Sequence, residues 1–244
     1  MADRAAPDPF AGGLPVLDGV ARGGTAPRVR LRPLRQPGTD GGTDLDALFV
    51  AFSDPETLRY WSHEPFATRE QAAEYLAGID AGGADGSLFQ WAIADAATDA
   101  LLGTLTLLGW DRTHRRAEIG FLLGRAHWGR GLASEALRTA LTFAFGPMNL
   151  HRVEADVDPD NAASLALLAR LGFREEGRLA ERWFTFGAWH DTVLLGLLAS
   201  DYGVRDYDAS AYDVRASGAA PPTAPSEAAS SGGQIPSVRR SETT

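Results

Sequence analysis

RAEIGFLLGRAHWGRGLASEAL, residues 116–137, holds the transition on which the fold turns. RAEIGFLLG (116–124) reads as a strand and SEALRTALTFAFG (134–146) as a helix, with Gly129 and Gly131 flanking a single arginine between them. Glycine inside or beside a helix costs up to about 1 kcal/mol relative to alanine, so a pair of them there needs a reason. A strand that runs into a Gly-Arg-Gly turn opening a helix brings several backbone N–H groups together where the helix dipole is positive. Such a turn is an anion site. Neither G-x-x-x-x-G-K-[ST] nor G-x-G-x-x-G occurs, and a plain glycine-rich connection is the alternative reading of the turn taken alone.

Working outward, HRVEADVD (151–158) reads as a strand and ASLALLARLGF (163–173) as a helix that Gly172 ends. Upstream, VRLRPLR (29–35) reads as a first strand, and residues 43–52 have helical spacing. TREQAAEYLAGI (68–79) is a helix opened by a Thr68/Gln71 capping box. FQWAIAD (89–95) and LLGTLTLLG (101–109) flank the turn AATDA as a hairpin, and WHDTVLLGLLAS (189–200) reads as the last strand. Antiparallel strands followed by strand-helix-strand-helix-strand predict an α/β fold, one mixed sheet with helices on both faces. Residues 1–27 and 204–244 lack apolar periodicity and are expected to be disordered, leaving 28–203 as the folded domain.

Composition narrows the chemistry. The chain has 244 residues, 44% of them hydrophobic, enough for one core. No run approaches the roughly 20 apolar residues of a membrane span, and the first residues carry no apolar signal core, so a cytoplasmic protein without a membrane partner is expected. Cysteine is absent, which excludes disulfides and thiolate nucleophiles. A formal charge of -9 argues against a nucleic-acid partner. All 23 basic residues are arginine, which excludes Schiff-base and P-loop lysines and leaves arginine forks for phosphates. Histidines do not fall at helical metal-ligand spacing, so no metal is expected.

Several motifs, in order, resemble the GNAT acetyltransferases, and more narrowly their RimJ/RimL-like branch. They are AEIGF (117–121), Trp128-Gly129-Arg130-Gly131-Leu132-Ala133, Asn161-x-x-Ser164 with LGF (171–173), and Gly187-x-Trp189-x-Asp191, with YWSHEPF and TREQAAEYL (60–76) upstream. Tryptophan stands where the superfamily signature has glutamine or arginine, a departure common in this branch. The resemblance spans about 28–200 and implies the GNAT fold with acetyl-CoA as cosubstrate. It further implies that the strand carrying Glu118 to Leu123 parts from strand 151–158, so that the pantetheine arm inserts between them. Backbone groups of Phe121, Leu122 and Leu123 would meet its amides, with an N–H near Leu122 on the acetyl oxygen. N–H groups from Gly129 through Arg130, Gly131, Leu132 and Ala133 to Ser134 would hold the pyrophosphate, with Arg125 and Arg130 as charge partners.

Acetyl transfer needs a neutral amine, a stabilised tetrahedral oxyanion and a proton for the departing thiolate. By the resemblance Glu118 takes the amine proton, its alternative being an ion pair with Arg116 or another nearby arginine. Ser164 could donate to the thiolate or merely make a helix N-terminal contact. Asn161 could cap that helix and bond pantetheine at once. His63 and Glu64 are candidates for lining the acceptor groove. Trp183, Phe184 and Phe186 fall where the branch closes it, although such aromatics are also core material. His127 and His151 read as surface or structural residues.

The acceptor is expected to be a protein N-terminus. An α-amino group, with a reference pKa near 7.7–8.0 against about 10.4 for lysine, offers far more free base to a weak carboxylate base. The branch, whose members acetylate N-termini of ribosomal proteins, agrees. It also contains enzymes for small amines, amino acids and aminoglycosides, so a small-molecule acceptor is the alternative. A homodimer is compatible with the resemblance. Outside enzymology stand an acyl-CoA-binding sensor and a scaffold whose tail, with Tyr202, Tyr207 and Tyr212, anchors a partner.

Overall fold

The computed structural model describes residues 8–19, 26–38 and 42–203. Its strands in chain order are β1 (Leu17–Asp18), β2 (Val29–Pro33), β3 (Leu88–Asp95), β4 (Leu101–Asp111), β5 (Arg116–Leu123), β6 (Arg152–Val157), β7 (Arg174–Thr185) and β8 (Ala188–Leu198). The helices are α1 (Leu45–Ser53), α2 (Arg69–Asp85), α3 (Leu132–Phe145), α4 (Ala162–Leu171) and the single turn α5 (Ala199–Tyr202). The strands form one sheet in the order β1-β2-β3-β4-β5-β6-β8-β7, antiparallel throughout except for the parallel pair β5/β6. This is the mixed sheet and GNAT architecture that the sequence predicts.

Side-chain alternation divides the core in two. Leu31, Trp91, Leu105, Ile119, Val153 and Leu195 pack under α3 and α4 in the larger cluster. On the opposite face Leu88, Ala92, Leu101 and Leu122 pack against Leu48 and Phe52 of α1 and Tyr75 and Leu76 of α2. The Thr68/Gln71 capping box forms as expected, but α2 runs on to Asp85, and Gly86 closes it in the left-handed conformation at φ +75. No helix among the described residues is long and apolar enough to cross a membrane.

The sequence reading needs two corrections. Residues 1–27 were expected to lack structure, yet residues 8–18 are part of the fold. Phe10 stacks on Phe89 at 3.8 Å between ring centroids, Leu17 is fully buried, and the Pro15 carbonyl accepts from Trp91 Nε1 at 2.8 Å. Phe10, Leu14 and Leu17, spaced four and three apart among prolines and glycines, are too few to mark an element, but each packs against the larger core. The second correction is β7. REEGRLAERWFT is almost wholly exposed, so no apolar alternation marks it, and its partner β8 alone makes it a strand. The tail 204–244, with Tyr207 and Tyr212, lies outside the described residues.

Candidate active site

The glycine turn has the form that an anion requires. Gly129 and Gly131 sit at φ +70 and +76, where side chains are strained, and Gly131 is the N-cap of α3 with no side chain bonding the first turn. A Cβ on Gly129 would meet nothing within 4 Å, and on Gly131 only Arg28 Nη2 at 3.6 Å. The glycines are therefore demanded by backbone angle, and they leave the helix N-terminus bare. Trp128 anchors the turn by donating Nε1–H to the Leu123 carbonyl at 2.7 Å. Leu132 is buried and Ala133 half-buried at the head of the helix, while Ser134 accepts from Arg138 at 2.7 Å.

Two residues at this turn escaped the sequence reading. The buried Glu135 carboxylate accepts from the backbone N–H groups of Arg28 (2.6 Å) and Val29 (3.2 Å) and from Arg28 Nε (3.0 Å). Arg28 Nη1 in turn donates to the Arg130 carbonyl at 2.9 Å, which sets a guanidinium beside the turn from the start of β2. A glutamate in the first turn of an otherwise apolar helix face was the available signal, because a buried carboxylate demands donors. Arg125 lies in the short 3-10 turn Arg125–His127 and lines, with His127, Val50, Asp54 and Leu102, a separate cleft against α1. Arg130 is exposed.

Next to the turn the sheet opens. β5 and β6 pair only at Arg116↔Arg152, Ala117↔Val153 and Glu118↔Glu154. Beyond that point β5 keeps β4 as far as Leu123 and β6 keeps β8 as far as Val157, so the two strands part and their facing backbone groups lose their partners. A slot between two strand edges takes an extended amide-bearing chain as an added strand, and pantetheine is one. Phe121, Leu122 and Leu123 border this slot. Beside it, Asn161 caps α4 by accepting from the Ser164 N–H at 3.1 Å, which leaves the Ser164 hydroxyl half-buried at the same helix end.

Glu118 faces away from the larger core, on the side of Leu122. Of the carboxylates on this face, Glu154 is held by Arg116 (3.1 Å) and Arg152 (2.8 Å), and Asp156 by Arg182 (2.9 Å), whereas no ion pair among the described residues engages Glu118. The alternative reading, an ion pair with Arg116, is thus not what the structure forms. Burial pushes the Glu118 carboxyl up to about 7, with the charge of Asp156 and, more weakly, Glu154 adding to the rise against the opposing Arg182. A Cβ on Gly120 would meet nothing within 4 Å, so the face between Glu118 and Leu122 is open. A half-ionised carboxylate at neutral pH beside open space is equipped to take a proton.

The proposed acceptor residues separate. Trp183 lies on the Asp156 side of the sheet, its Nε1 donating to Asp156 Oδ1 at 3.2 Å. Phe186 sits at the tip of the β7–β8 hairpin with φ +53 and is 44% exposed, beside the tilted pair Phe184 and Trp189. His63 instead stacks on Phe66 and Phe52 under α1 and α2, donating Nδ1–H to the Glu64 carbonyl at 2.8 Å, with burial holding its pKa down. Glu64 is exposed at that loop.

The Acetyltransferase (GNAT) domain family matches residues 28–174. The chain belongs to this family. Acetyl-CoA-dependent N-acetyltransferase activity follows. An uncharacterised N-acetyltransferase p20 of Bacillus licheniformis is 36% identical over 159 residues, covering 65% of this chain and 89% of its own. A spermidine N(1)-acetyltransferase of Vibrio cholerae is 30% identical over 160 residues, covering 65% and 90%. Among solved structures, Mycobacterium smegmatis RimJ in complex with CoA-disulfide superposes with a TM-score of 0.66 at 27% identity, covering 79% of this chain and 91% of its own.

Proposed function

We propose that this N-acetyltransferase acts on the α-amino group of a protein N-terminus, in the manner of the RimJ/RimL-like branch. The observation that carries the reading is Glu118, an unpaired carboxylate raised to about 7 on the open face of the split sheet. An α-ammonium with a pKa near 7.7–8.0 gives its proton to such a base almost without cost, whereas lysine or a polyamine near 10.4 does not. Among the described residues Glu154 and Asp156 are each paired with arginine and Glu118 is not, an arrangement that suits one ammonium better than a polycation.

Glu118 takes the ammonium proton, and the neutral amine attacks the thioester carbonyl of acetyl-CoA held in the slot. The N–H near Leu122 meets the developing oxyanion. As the tetrahedral species collapses to the amide, the C–S bond breaks, the Ser164 hydroxyl gives its proton to the departing thiolate and takes the nitrogen's second proton in its place, and Glu118 returns the first proton to solvent. Direct transfer in a ternary complex suits a chain without cysteine. The turn N–H groups of residues 129–134, with Arg130 and Arg28, hold the pyrophosphate.

The test is to measure initial rates with a peptide bearing a free N-terminus, the same peptide N-blocked but containing lysine, and spermidine. Preference for the free N-terminus is expected. Preference for spermidine, the acceptor of the Vibrio relative, would replace this reading with a small-amine one. Glu118→Gln is expected to lower kcat/KM about 10²-fold or more and to abolish the acidic limb near pH 7, while CoA binding measured by calorimetry stays within about twofold of wild type.

A further inference from the structure

Asp156 sits at an unusual junction. Its side chain is 9% exposed and accepts from Arg182 Nε (2.9 Å), from Trp183 Nε1 (3.2 Å) and from the Thr192 hydroxyl. Arg182 and Trp183 belong to β7, which is not a neighbour of β6, because β8 lies between them. They reach Asp156 because β7 is irregular: its register against β8 breaks between Leu179 and Trp183, and Glu181 takes φ +50. A second aspartate fixes the other side of that bulge. Asp191 accepts from the Glu181 N–H at 3.0 Å and from Arg178 Nη2 at 2.9 Å. The bulge is pinned from both sides, and its effect is to carry one arginine and one indole across β8 to the strand that parts from β5.

We propose that Asp156 is a positioning residue for the transfer, the hub that latches Arg182 and Trp183 of the bulged β7 against the face that carries Glu118. The proposal rests on Glu118 being the base. Asp156 does not touch the acceptor; it acts through its neighbours. Arg182, Trp183 and Thr192 all donate to its oxygens, so its carboxylate is engaged by the fold and not turned to the acceptor. Its carboxylate and the arginine that it holds act on Glu118 in opposite senses, the carboxylate disfavouring ionisation and the arginine favouring it. The pair therefore trims the base, and the same contacts place Trp183 where β7 overhangs the groove. The other charged groups on the strands around Glu118 are already matched. Arg116 on β5 is shared by Asp111 of β4 and Glu154 of β6, and Arg152 of β6 is shared by Glu154 and Glu176 of β7.

Two variants separate trimming from mere structure. Asp156→Asn keeps an oxygen for Trp183 and Thr192 but removes the charge, and Arg182→Gln removes the opposing charge from an exposed side chain that the core does not need. The Glu118 carboxyl is followed by carbon-13 NMR titration, assigned by its loss in Glu118→Gln, alongside the pH profile of kcat/KM. The expected result is a Glu118 midpoint about half a unit or more lower in Asp156→Asn and correspondingly higher in Arg182→Gln. The KM for acetyl-CoA should stay within about twofold in both, because the cofactor is held at the glycine turn. Midpoints that do not move, or that move in the same direction, overturn the proposal. So does a loss of acetyl-CoA binding in step with lost thermal stability, which would mark a purely structural aspartate. If the NMR midpoints diverge while the kinetic limb does not follow them, the hub stands and the assignment of Glu118 as base falls.

Discussion

Across β1–β4 the sheet is covered on both faces, by α1 and α2 on one side and by α3 with residues 8–18 on the other, and the buried side chains are mostly aromatic and aliphatic, with the Arg32–Asp44 ion pair as the charged exception. Across β5–β8 the face that bears Glu118 carries Arg116, Arg152, Glu154, Asp156, Glu176 and Arg182. The Arg152–Glu176 pair lies so flat on the sheet that a Cβ on Gly196 would come within 2.5 Å of both side chains. The first half gains stability by removing apolar surface from water. The second spends some of that stability to keep a carboxylate poorly solvated where a proton must move.

The largest test of this contrast lies in the covered half. Phe10 contacts Phe89, Trp91, Trp110 and Phe143 within 6.3 Å between centroids, although it stands outside the region that periodicity marks as folded. Phe10→Ala is expected to cost about 3 kcal/mol in urea unfolding, toward the low end for an aromatic truncation because the ring is only partly buried. Its kcat/KM at 25 °C should stay within about twofold of wild type. A negligible cost would mean that residues 8–18 merely rest on the sheet.

In the other half the sign reverses. The folded state holds the Glu118 proton up to about pH 7, whereas the unfolded chain releases it near the ordinary 4.5. As pH rises through that window, the unfolded chain sheds a proton that the folded one keeps, so this group's contribution to stability falls, and the cost is complete above about 7. Glu118→Gln carries no such cost. It should match wild type below about pH 4.5 and become more stable by about 2 kcal/mol at pH 8, allowing for partial solvent screening. An inactive variant more stable than its parent at pH 8 but not at pH 4 would show that the open half trades stability for chemistry; a constant difference would deny it.

What the sequence disclosed follows the same division. The strands and helices that bury an apolar stripe were legible from periodicity, and the turn from its glycines. Residues 8–18 were not, because the two-residue strand β1 is too short to show alternation and Phe10 finds its ring partners from Phe89 onward. β7 was not, because its side chains face water or ion pairs. Within the site, Glu118 could be singled out by a polar residue in an apolar strand, but its altered proton affinity depends on its burial and on Asp156 and Arg182, distant in sequence, the latter brought near by a bulge. His63 is less simple: next to Glu64 it suggested a groove, and it stands half-buried against aromatic neighbours at 52, 66 and 75.

The smallest energetic effect is the sharpest test of the opening motif, because two glycines share one conformation and differ in task. Gly131 heads α3 at φ +76, and Gly86 ends α2 at φ +75; neither position has a neighbour closer than 3.6 Å to an added Cβ. Alanine at either should therefore cost the same, about 1 kcal/mol for a left-handed L-residue, read as equal losses in thermal unfolding. Only at Gly131 does the methyl stand among the bare N–H groups of a helix N-terminus. There the expected loss of acetyl-CoA affinity is about tenfold or more by calorimetry, against no change in Gly86→Ala. Equal stability losses with unequal binding would separate the glycine that the chain needs for folding from the glycine that the cofactor needs. Equal binding would reduce the Gly-Arg-Gly turn to a connection between β5 and α3.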